Sequence, residues 1–149
     1  MSLKCGEAVG YVIFDCVCLF LGAANLRASA TTEVAEEITE AAKPVLSALE
    51  QHIVVIASEG SSKTDVAAAV FGIINTIYSG GCLGAVINTW LGSLSVGDKI
   101  LYAATALTTI VAAVCTDGMA EIGIIGLELA TAGWLISDSI KCTEACEYG

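Results

Sequence analysis

From residue 66 to residue 97 the chain carries no charged side chain, and after Asp98 and Lys99 a second uncharged stretch runs from 100 to 116. A helix on the surface of a small domain has to show water a polar face. Stretches with so little to show must be buried, or must meet something other than water. Composition sharpens the point. Apolar residues make up 56% of the chain and its mean hydropathy is +0.79, whereas soluble domains have about 45–50% apolar residues. Much of that content is Ala and Gly. Small residues let helix backbones approach closely, as they do in membrane-embedded and tightly self-associated helices.

At 149 residues the chain reads as one domain, 1–149, with enough length for a real core. Its net charge of −10 makes nucleic acid a poor partner, because phosphate binding needs Lys and Arg. It also supplies no polybasic patch for an anionic membrane surface. The acids gather at 33–40 and near both termini, which leaves the middle nearly neutral.

Helices fit the pattern better than strands. The apolar runs are long, Ala is abundant and polar positions recur near every 3.6 residues. The spacing predicts helices at about 6–27, 31–58, 62–79, 82–94, 97–116 and 117–141. Turn chemistry separates them at Ser61-Ser62-Lys63, Ser79-Gly80-Gly81, Ser95-Val96-Gly97 and Asp117-Gly118. Ser62 and Ser95 each stand three residues before an aspartate, the arrangement of a capped helix start. Pro44 should kink the 31–58 helix or start a second one. The expected fold is therefore all-α: a compact bundle of five or six helices with unusually wide apolar faces.

The 31–58 helix is ordinary, with Val34, Ile38, Val45, Leu49 and Ile53 on one side and a row of glutamates on the other. The others have narrow polar stripes. These are Glu7, Tyr11, Asp15, Cys18, Gly22 and Asn25 in 6–27, and Asp65, Gly72, Thr76 and Ser79 in 62–79. In 97–116 the stripe is Asp98, Tyr102, Thr105, Thr109 and Thr116, and in 117–141 it is Asp117, Glu121, Glu128, Thr131 and Asp138. Each covers about 100° of arc or less. The surplus apolar surface calls for lipid, another subunit or a large apolar ligand.

Catalysis finds little support. His52 is the one histidine and belongs to a helix face, and no Ser or Cys has a nucleophile's setting. The stretch Gly92 to Lys99 looks like a phosphate loop but has Asp98 before the lysine and Ile100 where a hydroxyl is needed, so it reads as an interhelical turn. No cofactor or metal is expected. The seven cysteines are read mainly as reduced, packed side chains. The alternative is a bridge or thiol cluster of Cys5, Cys142 and Cys146 near the termini. An N-terminal cleaved signal is disfavoured by Glu7 and Asp15.

Three acids inside apolar helices, Asp15, Glu121 and Glu128, are the candidate polar-stripe or pH-sensing residues, and Thr105, Thr109 and Thr116 form a candidate hydroxyl stripe. The first functional expectation is a non-enzymatic helical protein that inserts into or perturbs membranes as an oligomer, in the manner of helical pore formers. The similarity is one of pattern. The inserting element would be the 62–79/82–94 hairpin or the later pair 97–116/117–141. The alternatives are a self-assembling subunit of a filament or shell and a carrier of lipid or another apolar ligand. A homo-oligomer is expected, without nucleic acid, at a membrane or secreted rather than purely cytoplasmic.

Overall fold

A computed structural model describes residues 1–116, 118–129 and 132–148. The described residues are helical, without strands. The order is α1 (Leu3–Phe20), a 3-10 turn (Ala24–Ser29), α2 (Thr32–Ala41), a 3-10 turn (Lys43–Val45), α3 (Leu46–Ala57), α4 (Lys63–Ser79), α5 (Leu83–Gly92), α6 (Val96–Ala103), α7 (Ala106–Cys115), α8 (Gly118–Glu128) and α9 (Gly133–Cys146). These are nine α-helices among the described residues, so the count of five or six is corrected upward while the all-α class stands.

The extra breaks have local causes. The helix expected to run to 27 stops at Gly22, whose φ of +64° is costly for any residue with a Cβ. Ala23 N–H then reaches Cys18 O at 2.8 Å and Gly22 N–H reaches Leu19 O at 3.3 Å, the paired bonds of a Schellman stop. Gly81, with φ +77°, ends α4 in the same way through Cys82 N–H to Ile77 O at 3.0 Å. Pro44 lies in the turn that separates α2 from α3, as its fixed φ and missing N–H require. The expected 97–116 helix divides at Ala104–Thr105 with a bend of 43°. Neither Gly nor Pro stands there. Tyr102 packs edge-on against Trp90 and Ala106 is buried, so the two halves are drawn onto different parts of the core. The serine caps form as expected. Ser62 and Asp65 make a reciprocal capping box, and Ser95 Oγ accepts from Asp98 N–H at the start of α6.

Helix α1 is the centre, packed by α2, α9, α4 and α5. Val9, Val12, Ile13, Phe14, Cys16 and Val17 on it are wholly buried. The 62–79/82–94 hairpin belongs to this core. Val70, Ile73, Ile74 and Ile77 of α4 and Val86, Ile87 and Trp90 of α5 are all buried.

Two kinds of glycine stand out. A Cβ on Gly10 would lie 1.9 Å from Ala35 O, one on Gly72 would lie 2.5 Å from His52 Cε1, and one on Gly80 would lie 2.2 Å from Val45 Cγ1. These three allow close packing inside the chain. Gly84, Gly92, Gly97, Gly123 and Gly133 have nothing within 4 Å of that position, so packing within one chain does not require them.

Candidate functional site

Two regions stand apart from an ordinary core. The first is a charged centre at the α1–α9 seam. Asp15 sits in the middle of α1 and Asp138 in α9, both buried, and Arg27 reaches them from the turn after α1. Arg27 Nε lies 2.7 Å from Asp15 Oδ1. Its N–H bonds are aimed at Asp138 Oδ2, at 3.1 Å from Nε and 2.9 Å from Nη2. Asp15 thus has a cation beside it and also interacts through a side-chain hydrogen bond with Asp138. Burial raises the Asp15 carboxyl far above the usual range and the neighbouring Asp138 adds to this, against the opposing pull of Arg27. The consistent state is one guanidinium matched to one carboxylate, Asp138, with Asp15 holding its proton. The guanidinium also lies over the Tyr11 ring, 4.8 Å from its centroid, a favourable cation–π geometry. A groove beside this centre is lined by Lys4, Glu7, Tyr11, Asp138, Lys141 and Glu144.

Asp15 is therefore an acid shut inside the protein, next to a base and a second acid. It has no exposed surface and meets Asp138 of α9, while Tyr11 Oη lies 3.4 Å from Thr32 Oγ1 at the start of α2. Arg27 and Asp138 were not singled out as site residues in the sequence. The available signal was charge balance: acids in the middle of apolar helices need a base, and Arg27 and Lys4 are the only bases in the first 42 residues.

Glu121 and Glu128 lie elsewhere, on α8, both half-buried. Burial raises the Glu121 carboxyl first, and the charge of Glu128 raises it further. Burial also raises Glu128. Glu128 stands at the end of α1, where its Oε1 is 3.2 Å from the position of a Gly22 Cβ. The three acids therefore do not form one stripe. Thr105, Thr109 and Thr116 are all exposed along α7, and the Thr116 hydroxyl donates back to Ala112 O at 2.8 Å. Asp98 and Tyr102, expected on the same stripe, belong to the separate helix α6. Asp117 and Thr131 lie outside the described residues.

The preference for reduced cysteines fails at one pair. Cys5 and Cys146 form a disulfide with their Cα atoms 4.7 Å apart. The reason is the fold, which lays the first turn of α1 against the last turn of α9. Cys142 stays reduced beside the bridge. Cys16, Cys18 and Cys82 are free and buried, as apolar packing predicts, while the free Cys115 is exposed and its thiol donates to Tyr78 Oη at 3.5 Å. His52 is half-buried against Gly72. Among the described residues no three His, Cys, Asp or Glu side chains are grouped to hold a metal.

The second region is the arm made by α6 and α7. Helix α6 buries no residue, and α7 buries only Ala106 and Ile110. Val96, Ile100 and Leu101 are 76%, 74% and 63% exposed, values that mark an apolar face turned outward. Leu107 continues it on α7. No family model, curated protein or solved structure matches the chain.

Proposed function

We propose that this is a non-enzymatic helical protein that inserts into or perturbs membranes as an oligomer, with α6–α7 as the inserting element. The observation that carries the reading is the outward apolar face of that arm. Val96, Ile100, Leu101 and Leu107 project from a segment whose only charges are Asp98 and Lys99. A few buried side chains and the Tyr102–Trp90 contact hold it to the core. Among the described residues no single helix is long and apolar enough to cross a membrane. Three bent pairs are, by length and composition, and α6–α7 has the gentlest bend, 43° against 111° for α4–α5 and 100° for α8–α9. The α4–α5 hairpin is a poorer candidate because its apolar faces already fill the core.

Dye release from zwitterionic liposomes between neutral and acidic pH tests this. Wild type should leak. The double variant Ile100→Asp, Leu101→Asp should keep its helical spectrum, since both sites are exposed, and lose leakage. No leakage by wild type at any pH overturns the membrane reading, and equal leakage by the variant removes α6–α7 from the role.

A second reading, a self-assembling structural subunit, is favoured by a different observation. Ile124 and Leu127 on α8 and Ile136 and Ile140 on α9 are also exposed, and Gly123 and Gly133 leave open space beside them. Light scattering without lipid separates the two, since a monomer at high concentration excludes the subunit.

A further inference from the structure

The Cys5–Cys146 bridge has a third sulfur beside it. Cys142 stands one turn back on α9, with its Sγ 3.9 Å from Cys146 Sγ. Because Cys146 is already bonded, the Cys142 thiol is the donor in that contact. We propose that the three cysteines form a thiol–disulfide exchange site: the Cys142 sulfur attacks Cys146, a Cys142–Cys146 bond forms, and Cys5 leaves as a thiolate. Cys142 gives its proton to solvent and Cys5 takes one up. One disulfide and one thiol, counted over the three residues, stand on each side of the step, so no oxidant or reductant is consumed.

The helix ends set the direction. Cys5 lies in the first turn of α1, where its N–H bonds to the capping Ser2 hydroxyl and Lys4 is its neighbour. The positive end of a helix and a nearby cation both stabilise a thiolate, and the sulfur with the lower pKa leaves faster. Cys146 is the last residue of α9, at the negative end of that helix with Glu144 and Glu147 close in sequence, where a thiolate is disfavoured. The attacking thiol touches the sulfur that should stay, and the other sulfur is the one suited to leave.

Two features keep the exchange slow. Burial pushes the Cys142 thiol up to about 12, so little of it is thiolate. Cβ atoms four residues apart on a helix stand about 5–6 Å apart, against about 3.5–4.5 Å in a disulfide, so the last turn of α9 has to rearrange. That turn is closed by Tyr148 N–H to Thr143 O at 3.0 Å and Glu147 N–H to Glu144 O at 3.3 Å, bonds that fray at small cost. The step opens the covalent tie between α1 and α9 and releases the Cys5 thiol.

Peptide mapping reads the outcome directly. Lys4, Arg27 and Lys141 let trypsin cut out 5–27 and 142–149. Wild type is held without reductant at pH 9 for hours, alkylated with iodoacetamide, digested and sequenced by mass spectrometry. The resting bridge appears as 5–27 linked to 142–149. Exchange appears as 5–27 alkylated at Cys5, with 142–149 two hydrogens lighter and closed on itself. Cys142→Ser should abolish the second form. The proposal falls if wild type keeps only the linked pair, or if Cys5 is alkylated equally in Cys142→Ser. Should that variant fail to fold, the wild-type map alone decides.

Discussion

Arg27 has two carboxyl groups within reach, and how it divides itself between them sets the charge of the interior. Its N–H groups point at Asp138, which leaves Asp15 the member most cheaply kept neutral. Arg27→Met should strand the acids without a cation and cost about 3–5 kcal/mol in urea unfolding. Asp15→Asn, which keeps the shape and removes a carboxyl that must take up a proton on folding at neutral pH, should leave neutral-pH stability unchanged or raise it. The sign of the pH dependence follows from the raised Asp15 pKa. Its contribution is fully present below the unfolded carboxylate value and is lost as pH rises through the folded one. Asp15→Asn should remove that slope. Gly10→Ala should be the worst of the single-methyl changes, about 3 kcal/mol, because its Cβ would meet the Ala35 carbonyl, which cannot swing aside. None of this was legible from periodicity. Arg27 and Asp138 are 111 residues apart, and a pattern taken one helix at a time shows an acid on a stripe without showing that the stripe faces another helix.

At the level of elements, starts were easier to read than stops. Ser62 and Ser95 each carry their capping bond a few residues away, so the sequence displays both partners. The stops at Gly22 and Gly81 depend on a positive φ, and a glycine in an apolar run looks the same whether it ends a helix or packs inside one. The division of α6 from α7 depends on Trp90 and is invisible locally. That contact predicts an effect of its own. Tyr102→Ala should speed amide exchange across 96–115 and leave α1 and α4 protected, because it removes the aromatic anchor of the arm and little of the core. On α8, the raised Glu121 pKa means that its contribution to stability grows as pH falls through its folded value and is lost as pH rises. Glu121→Gln should therefore raise the neutral-pH melting temperature and flatten its rise toward acid.

For the whole molecule, the apolar surplus was legible as a quantity and not as a place. Half of the expected answer, the α4–α5 hairpin, is consumed by the core around α1. The remainder stands on the arm and on the outer faces of α8 and α9. The disulfide joins residues 141 apart in sequence, a loop whose closure entropy is worth at most about 5 kcal/mol. Cys5→Ser should lower unfolding stability by up to that amount and leave the helical content unchanged. The bridge also has a consequence in topology. The chain from Cys5 to Cys146 is a closed loop whose neck is the α1–α9 seam, and a loop whose neck stays on one face of a sheet can pass through that sheet only an even number of times. While the neck is shut, α6–α7 can cross a bilayer once and leave its flanks on opposite sides only if a second segment of the loop crosses back. With α6–α7 as the sole inserting element it lies in one leaflet or dips and returns, so labels placed at Ser95 and Thr116 should be quenched from the same face of the membrane.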